Sequence, residues 1–290
     1  MSINKKQHYV PQCYLDRFSK NGQVFYYSKK RNKHDTNNKE DICESNYFYL
    51  IQERKWWKPL DIENFFSKHV ETKLGLIIEL LEQKVHTLMN PAKGVVAVDI
   101  DEDFRSTMAT FMFLQFYRTP RFRKIFANKQ IIRKGISSST HSYIEETIKD
   151  KALVHALGSF LNKKKLEIAV EYLSNNKWVI LYSPDVKFLT SDNPVVWMPI
   201  KSNESELITL DDVDSKRCNL FYPITPQIAI QVIDKDLTCV PPNYDNCIIL
   251  SDNEQVWCLN MNTILAADDL VILNDLPITN YFPTIELKIF

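Results

Sequence analysis

Between Ile62 and Leu88 the residues Ile62, Phe65, Phe66, Val70, Leu74, Ile77, Ile78, Leu81, Val85 and Leu88 recur at steps of three and four. That spacing lines one face of an α-helix and suits no β-strand, so it predicts an amphipathic helix from Asp61 to about Asn90-Pro91. A second helix is expected from about Asp101 to Tyr117, because Asp101, Glu102 and Asp103 favour the positive end of a helix dipole. Its middle, Met108 to Phe116, is apolar nearly all round, which places it inside the core and makes Gln115 and Arg118 polar groups carried inward. His8 to Ser19 predicts a short helix with Pro11 in its first turn, and His141 to Ser174 two more helices parted near Gly158.

From Trp178 onward the texture changes. Trp178–Tyr182, Lys187–Thr190, Val195–Met198, Leu220–Tyr222, Ile228–Ile233 and Cys247–Leu250 are short β-branched or aromatic runs split by Pro, Asn and Asp. Gln23–Ser28 and Tyr47–Leu50 are read as strands earlier in the chain, with Lys29–Ser45 as a polar loop between them. A closing helix is expected from Ser251 to about Leu270, with Ser251 and Glu254 forming a capping box. The expected class is α+β in a single domain over residues 1–290. It is helix-rich over about 1–175, strand-rich and mostly antiparallel over about 176–250, and closed by the helix at about 251–270.

Several function classes are disfavoured by what the chain lacks. With only 5 glycines and no GxGxxG or Walker loop, a nucleotide-dependent kinase or dehydrogenase is not expected. HExxH and GxSxG are also missing. Lys plus Arg equals Asp plus Glu at 36 each, so any nucleic-acid contact needs a local patch. The best candidate is Arg118, Arg121, Arg123, Lys124, Lys129, Arg133 and Lys134, a run without acids that serves equally as a solvated helix face. The cysteines Cys13, Cys43, Cys218, Cys239, Cys247 and Cys258 are dispersed, as expected of buried free thiols in a reducing cytoplasm. The start, MSINKKQHYVPQ, has no apolar stretch of an export signal, and no apolar run reaches the roughly 18 residues that span a bilayer.

Two polar segments stand beside predicted element ends. Gln7 to Phe18 reads QHYVPQCYLDRF, and Phe188 to Val195 reads FLTSDNPV. Together with QFYRTP at Gln115–Pro120, YPITP at Tyr222–Pro226 and Asn260 on a late helix, they resemble the signatures of the bacterial family known as domain of unknown function 4238. The resemblance spans nearly the whole chain and implies no settled activity.

The chemistry of these positions leaves alternatives open. His8 suits a general base or ligand near neutral pH, or it satisfies buried backbone groups together with Gln12. Asp192 either aims into a cleft, where it would orient His8 or hold a divalent metal, or closes an Asx-turn with Ser191 and Asn193. Arg118 has a planar fork fit for phosphate, and an ion pair with a carboxylate suits it as well. Gln115, Asn260 and Asn262 complete a polar cluster or cap helices. Glu63, Glu71 and Glu79, eight apart, read as the polar edge of the long helix or as a carboxylate metal site. Trp56-Trp57 reads as an anchor for that helix or a platform for a base, and His34, His69, His86, His141 and His155 as non-functional.

Two expectations follow. In one, a phosphodiester hydrolase acts on RNA or another nucleic acid, with His8 exchanging the proton, Asp192 orienting it or a metal, and Arg118 receiving the phosphate. A bacterial setting would then suggest toxin or phage-defence work. In the other, the same cluster binds a small anionic ligand or partner protein without turnover, or the chain is a structural partner in a complex.

Overall fold

A computed structural model describes residues 6–51, 58, 60–89, 92, 94–124, 152, 155, 163–199, 218–237 and 241–274. The architecture is α+β. The long periodic segment forms α2 (Asp61–Phe66) and α3 (Thr72–Leu88), joined without a break by a π-helical turn, Ser67–Glu71. Ile62, Phe66, Val70, Leu74, Ile78, Leu81 and Val85 are the buried stripe. Before it lie β1 (Lys6–His8), α1 (Gln12–Leu15), β2 (Gln23–Ser28), β3 (Lys33–Asn38) and β4 (Glu44–Asn46). After β5 (Val95–Ala97) comes α4 (Glu102–Arg118), whose N-cap Asp101 accepts the Phe104 amide as the acidic cluster foretold. Every residue from Phe111 to Arg118 is buried.

Next come α5 (Lys163–Ser174), β6 (Lys177–Tyr182), β7 (Thr190–Ser191), β8 (Val196–Pro199), β9 (Cys218–Pro223), β10 (Ile228–Ile233), β11 (Cys247–Leu250), α6 (Asn253–Ala266) and β12 (Leu270–Leu273). A six-stranded sheet runs β5-β11-β6-β10-β9-β8, antiparallel except where β11 lies parallel to β6. A four-stranded antiparallel sheet, β3-β2-β12-β7, draws β2 and β3 against the late strand β12. A two-stranded ladder pairs β1 with β4.

Several boundaries differ from expectation. The supposed loop 29–45 contains β3, a polar edge strand whose alternation carries no hydrophobic signal. Tyr47–Leu50 is not a strand; Tyr47 takes a φ of 55°, which ends the short ladder at Asn46. The closing helix is capped by Asp252, whose side chain accepts the Gln255 amide, and it stops at Ala266 because Leu270–Leu273 is needed as β12. The Lys187–Thr190 run pairs only at Thr190–Ser191. Cys258 is exposed, whereas Cys43 and Cys247 are buried free thiols as expected. Trp56-Trp57, His141, Lys129, Arg133, Lys134 and the first helix expected after His141 lie outside the described residues. Among the described residues no helix is long and apolar enough to cross a membrane.

Candidate functional site

The segment from Gln7 to Gln12 is held by its backbone, which frees one side chain. In the β1–β4 ladder His8 lies directly opposite Glu44, so the two share a face, while Gln7 turns into the core. Gln7 Oε1 accepts the Tyr49 amide at 2.6 Å, and the Tyr9 amide donates to the Cys43 carbonyl at 3.0 Å. From α4, Gln115 Nε2 donates to the Tyr9 carbonyl and Arg118 Nη2 to the His8 carbonyl, both at 2.8 Å. Gln115 and Arg118 are three apart, so one helix face grips two successive carbonyls. The His8 ring is left half-buried, with the Gln12 amide 3.4 and 3.3 Å from its two nitrogens.

Arg118 is the floor of this arrangement, 1% exposed. Its Nε donates to the Tyr49 hydroxyl at 3.2 Å and its Nη2 to Glu71 Oε1 at 2.7 Å, and its guanidinium stacks over Phe66 at 4.5 Å. Burial alone would weaken its charge, but Tyr49 and Glu71 outweigh burial and hold the proton more firmly. Its Nη1 has no hydrogen-bond partner.

Glu71 reaches Arg118 because of the π turn. In a straight α-helix residues eight apart differ by about 80° around the axis. One inserted residue takes the phase back by about 100°, which leaves Glu63 and Glu71 roughly 20° apart, on one face. Burial lifts the Glu63 carboxyl up to about 7; Arg118 opposes the shift and Glu71 adds to it. Glu63 Oε2 has no partner. Burial pushes the His8 ring the other way, below its ordinary value, against the pull of Glu44 and Glu71. The imidazole is therefore neutral at neutral pH while Glu63 exchanges its proton there. Cys13, with its Sγ 3.8 Å from the Glu71 carbonyl, is held protonated by burial.

Gln7 Nε2, Glu44 Oε2, Glu63 Oε2, Gln115 Oε1 and Arg118 Nη1 all lack a partner and belong to the elements around His8.

The TSDNP segment forms a second polar group in which only Asn193 Oδ1 lacks a partner among the described residues. Asp192, expected to orient His8 or hold a metal, accepts three amides instead: Asp268 on Oδ1 at 2.8 Å, and Asp269 and Leu270 on Oδ2 at 2.7 and 2.9 Å. Burial still lifts its carboxyl up to about 6 against those three donors. Ser191 Oγ accepts the Asn193 amide, and Asn193 Nδ2 donates to the Ala266 carbonyl at the end of α6. Lys29 and Arg121 donate to the carbonyls of residues 264–267, completing the C-terminal cap. Asn260 bridges the unpaired run before β7, accepting the Leu189 amide and donating to the Lys187 carbonyl. Asn262 turns back to the Cys258 carbonyl.

The structure thus gathers His8, Gln12, Gln115 and Arg118, and sets Ser191, Asp192, Asn193 and Asn260 into a separate clasp. Glu44 and Glu71 supply the carboxylates that act on His8, and Glu63 lies in the field of Arg118 and Glu71; in the sequence Glu63 and Glu71 read as a helix edge or a carboxylate metal site. Within the basic run, Arg123 serves His155 and the Phe48 carbonyl, and Lys124 pairs with Asp268. Among the described residues no group of three or more His, Cys, Asp or Glu is arranged to hold a metal ion.

A family model described as "Protein of unknown function (DUF4238)" matches residues 6–276. No curated protein and no solved structure matches the chain.

Proposed function

The chain belongs to the DUF4238 family, and from the geometry around His8 we propose that it hydrolyses a phosphodiester by acid–base chemistry. One observation carries this reading. A buried, permanently charged guanidinium keeps Nη1 unspent beside two groups, His8 and Glu63, which burial holds in their uncharged forms, the imidazole by lowering its proton affinity and the carboxyl by raising its own to about 7. Neutral His8 accepts a proton from water as its oxygen attacks phosphorus. Protonated Glu63 gives its proton to the departing alkoxide as the P–O bond breaks. Arg118 Nη1 donates to the non-bridging oxygen on which charge builds. Products are a phosphomonoester and an alcohol, and the proton on His8 returns to Glu63 through solvent.

General acid or base catalysis of this kind contributes roughly 10²–10⁴-fold, and one preorganised oxyanion donor roughly 10²–10³-fold. The test is release of nitrophenolate from bis(4-nitrophenyl) phosphate, with a short RNA as second substrate. His8→Ala should lose at least about a hundredfold in kcat on both substrates, and Glu63→Gln as much on RNA, whose alkoxide needs the proton, but far less on the nitrophenyl ester. The wild-type profile should be bell-shaped, falling below the His8 pKa and above about 7. Intact substrates with the wild type, or full rates in both variants, would defeat the proposal.

A binding role without turnover has its own support: three of the contacts of Arg118 are already fixed, which suits a rigid receptor for one acceptor oxygen. It requires saturable thermal stabilisation by inorganic phosphate, lost in Arg118→Lys, with no bond cleaved.

A further inference from the structure

We infer that the substrate taken at this site is a short phosphodiester bearing a single negative charge, dinucleotide-sized or smaller, and not a polynucleotide; the inference rests on the hydrolase reading above. The argument is the balance of charge around the free Nη1 of Arg118. The cations that flank His8 are spent. Lys6, two residues before it, pairs with Asp41; Lys39 pairs with Asp16; Arg118 pairs with Glu71 at 2.7 Å. Glu44, opposite His8, has no counter-ion in contact among the described residues, and one of its oxygens is unpartnered; Glu63, the proton donor, adds its charge only above about 7.

The basic run that the sequence offered to a phosphate-bearing partner is used up where it is described. Arg121 caps α6, Arg123 holds the Phe48 carbonyl and Lys124 pairs with Asp268. A single phosphodiester meets the unspent N–H of a buried cation. The neighbouring phosphates of a strand would fall within a Debye length, about 8–10 Å, of the Glu44 carboxylate with no added cation to meet them, and like charges at close range cost far more than they return. Arg118 is also 1% exposed and its Nη1 is buried, so a group that reaches it displaces part of the wall, and a small one displaces least.

Salt gives the inference an unusual sign. A protein with a basic footprint loses affinity for nucleic acid as salt rises, through counter-ion release. Here added salt screens repulsion, so cleavage of a polymer should speed up. The experiment compares kcat/KM per bond for bis(4-nitrophenyl) phosphate, a dinucleoside monophosphate, and short and long single-stranded oligonucleotides, at low and high salt. At low salt the dinucleotide should exceed the long oligonucleotide by roughly tenfold or more, and high salt should narrow the gap. Asp41→Asn, which releases Lys6 beside the site, should narrow it too. Equal or faster cleavage of the long strand, slowed by salt, overturns the inference and leaves the hydrolase reading standing. No cleavage of any diester, with the fold confirmed by circular dichroism, overturns that reading itself.

Discussion

Replacing Glu63 by Gln isolates the cost of keeping a carboxyl in an apolar wall beside Arg118. Burial moves this group from 4.5 to about 7. In the unfolded chain the proton leaves near 4.5, whereas the folded protein holds it until about 7, so the folded state binds more protons in between. The contribution to stability is therefore fully present below 4.5 and is lost as pH rises through 7. At about 1.36 kcal/mol per pH unit the ceiling is roughly 3 kcal/mol, and partial solvent access reduces the expected value to about 1–2 kcal/mol. Glutamine mimics the protonated acid at every pH. Chemical denaturation of wild type and Glu63→Gln at pH 5 and pH 8 should show near-equal stability at pH 5 and a more stable variant at pH 8. Other titrating groups, His8 and Asp192 among them, cancel in this double difference. A gap between the two proteins that is the same at both pH values would refute the reasoning, because burial of the carboxyl would then not be what moves its proton.

Asp192→Ala strands the amides of Asp268, Asp269 and Leu270, and should cost about 2–4 kcal/mol, read as a lower denaturation midpoint with an unchanged slope. Asn260→Leu removes both ends of the bridge to Lys187 and Leu189; the expected loss is about 2–3 kcal/mol, with faster hydrogen exchange at the Leu189 amide as its local signature. The Tyr14 hydroxyl donates to the Pro223 carbonyl and meets Thr190 Oγ1, both at 2.6 Å. Tyr14→Phe should therefore destabilise by about 1–3 kcal/mol in thermal melts while the stacking on Tyr222 keeps the fold.

What could be read from the residues followed where burial acts alone. Strands β6, β9, β10 and β11 are dense in Ile, Val, Leu and aromatics because both faces are covered, and they fall close to their expected places. Strand β3, KHDTNN, is an edge strand of a hairpin turning at Asn32, and nothing apolar marks it. His8 and Arg118 were recognisable by chemistry, yet their meeting through the His8 carbonyl depends on contacts more than a hundred residues apart. Asp192 illustrates the same limit, since the sequence offered a cleft or a local turn and the carboxylate serves neither. It binds amides 76 to 78 residues away. Glu63 and Glu71 were misplaced because their spacing was counted on an ideal helix. A signal was present all the same. The buried stripe steps 62, 66, 70, 74, 78, and four successive steps of four drift by about 160° on an α-helix. Only an extra residue in the turn brings such a stripe back to one side.

The contrast between the two polar groups bears on function more than either does alone. Buried hydrogen-bonding groups are costly to leave unmade, about 1–3 kcal/mol each and more when charged. Around α6 the fold meets most of that demand, leaving Asn193 Oδ1 over: Asp192 takes three donors, Asn260 is satisfied at both ends, and the helix terminus is closed by Lys29, Arg121 and Asn193 Nδ2. The same chain, around α4 and the π turn, leaves a guanidinium N–H, two glutamate oxygens and two amide atoms without partners in the protein. A cluster whose only task was to lock β1 against α4 would gain from closing those bonds, and the bonds to the His8 and Tyr9 carbonyls already do the locking. The unspent groups on Arg118 and Glu63 therefore point to a polar atom that arrives from outside the chain, which is why the proposed acid–base centre is placed at His8, Glu63 and Arg118 and not at the TSDNP turn.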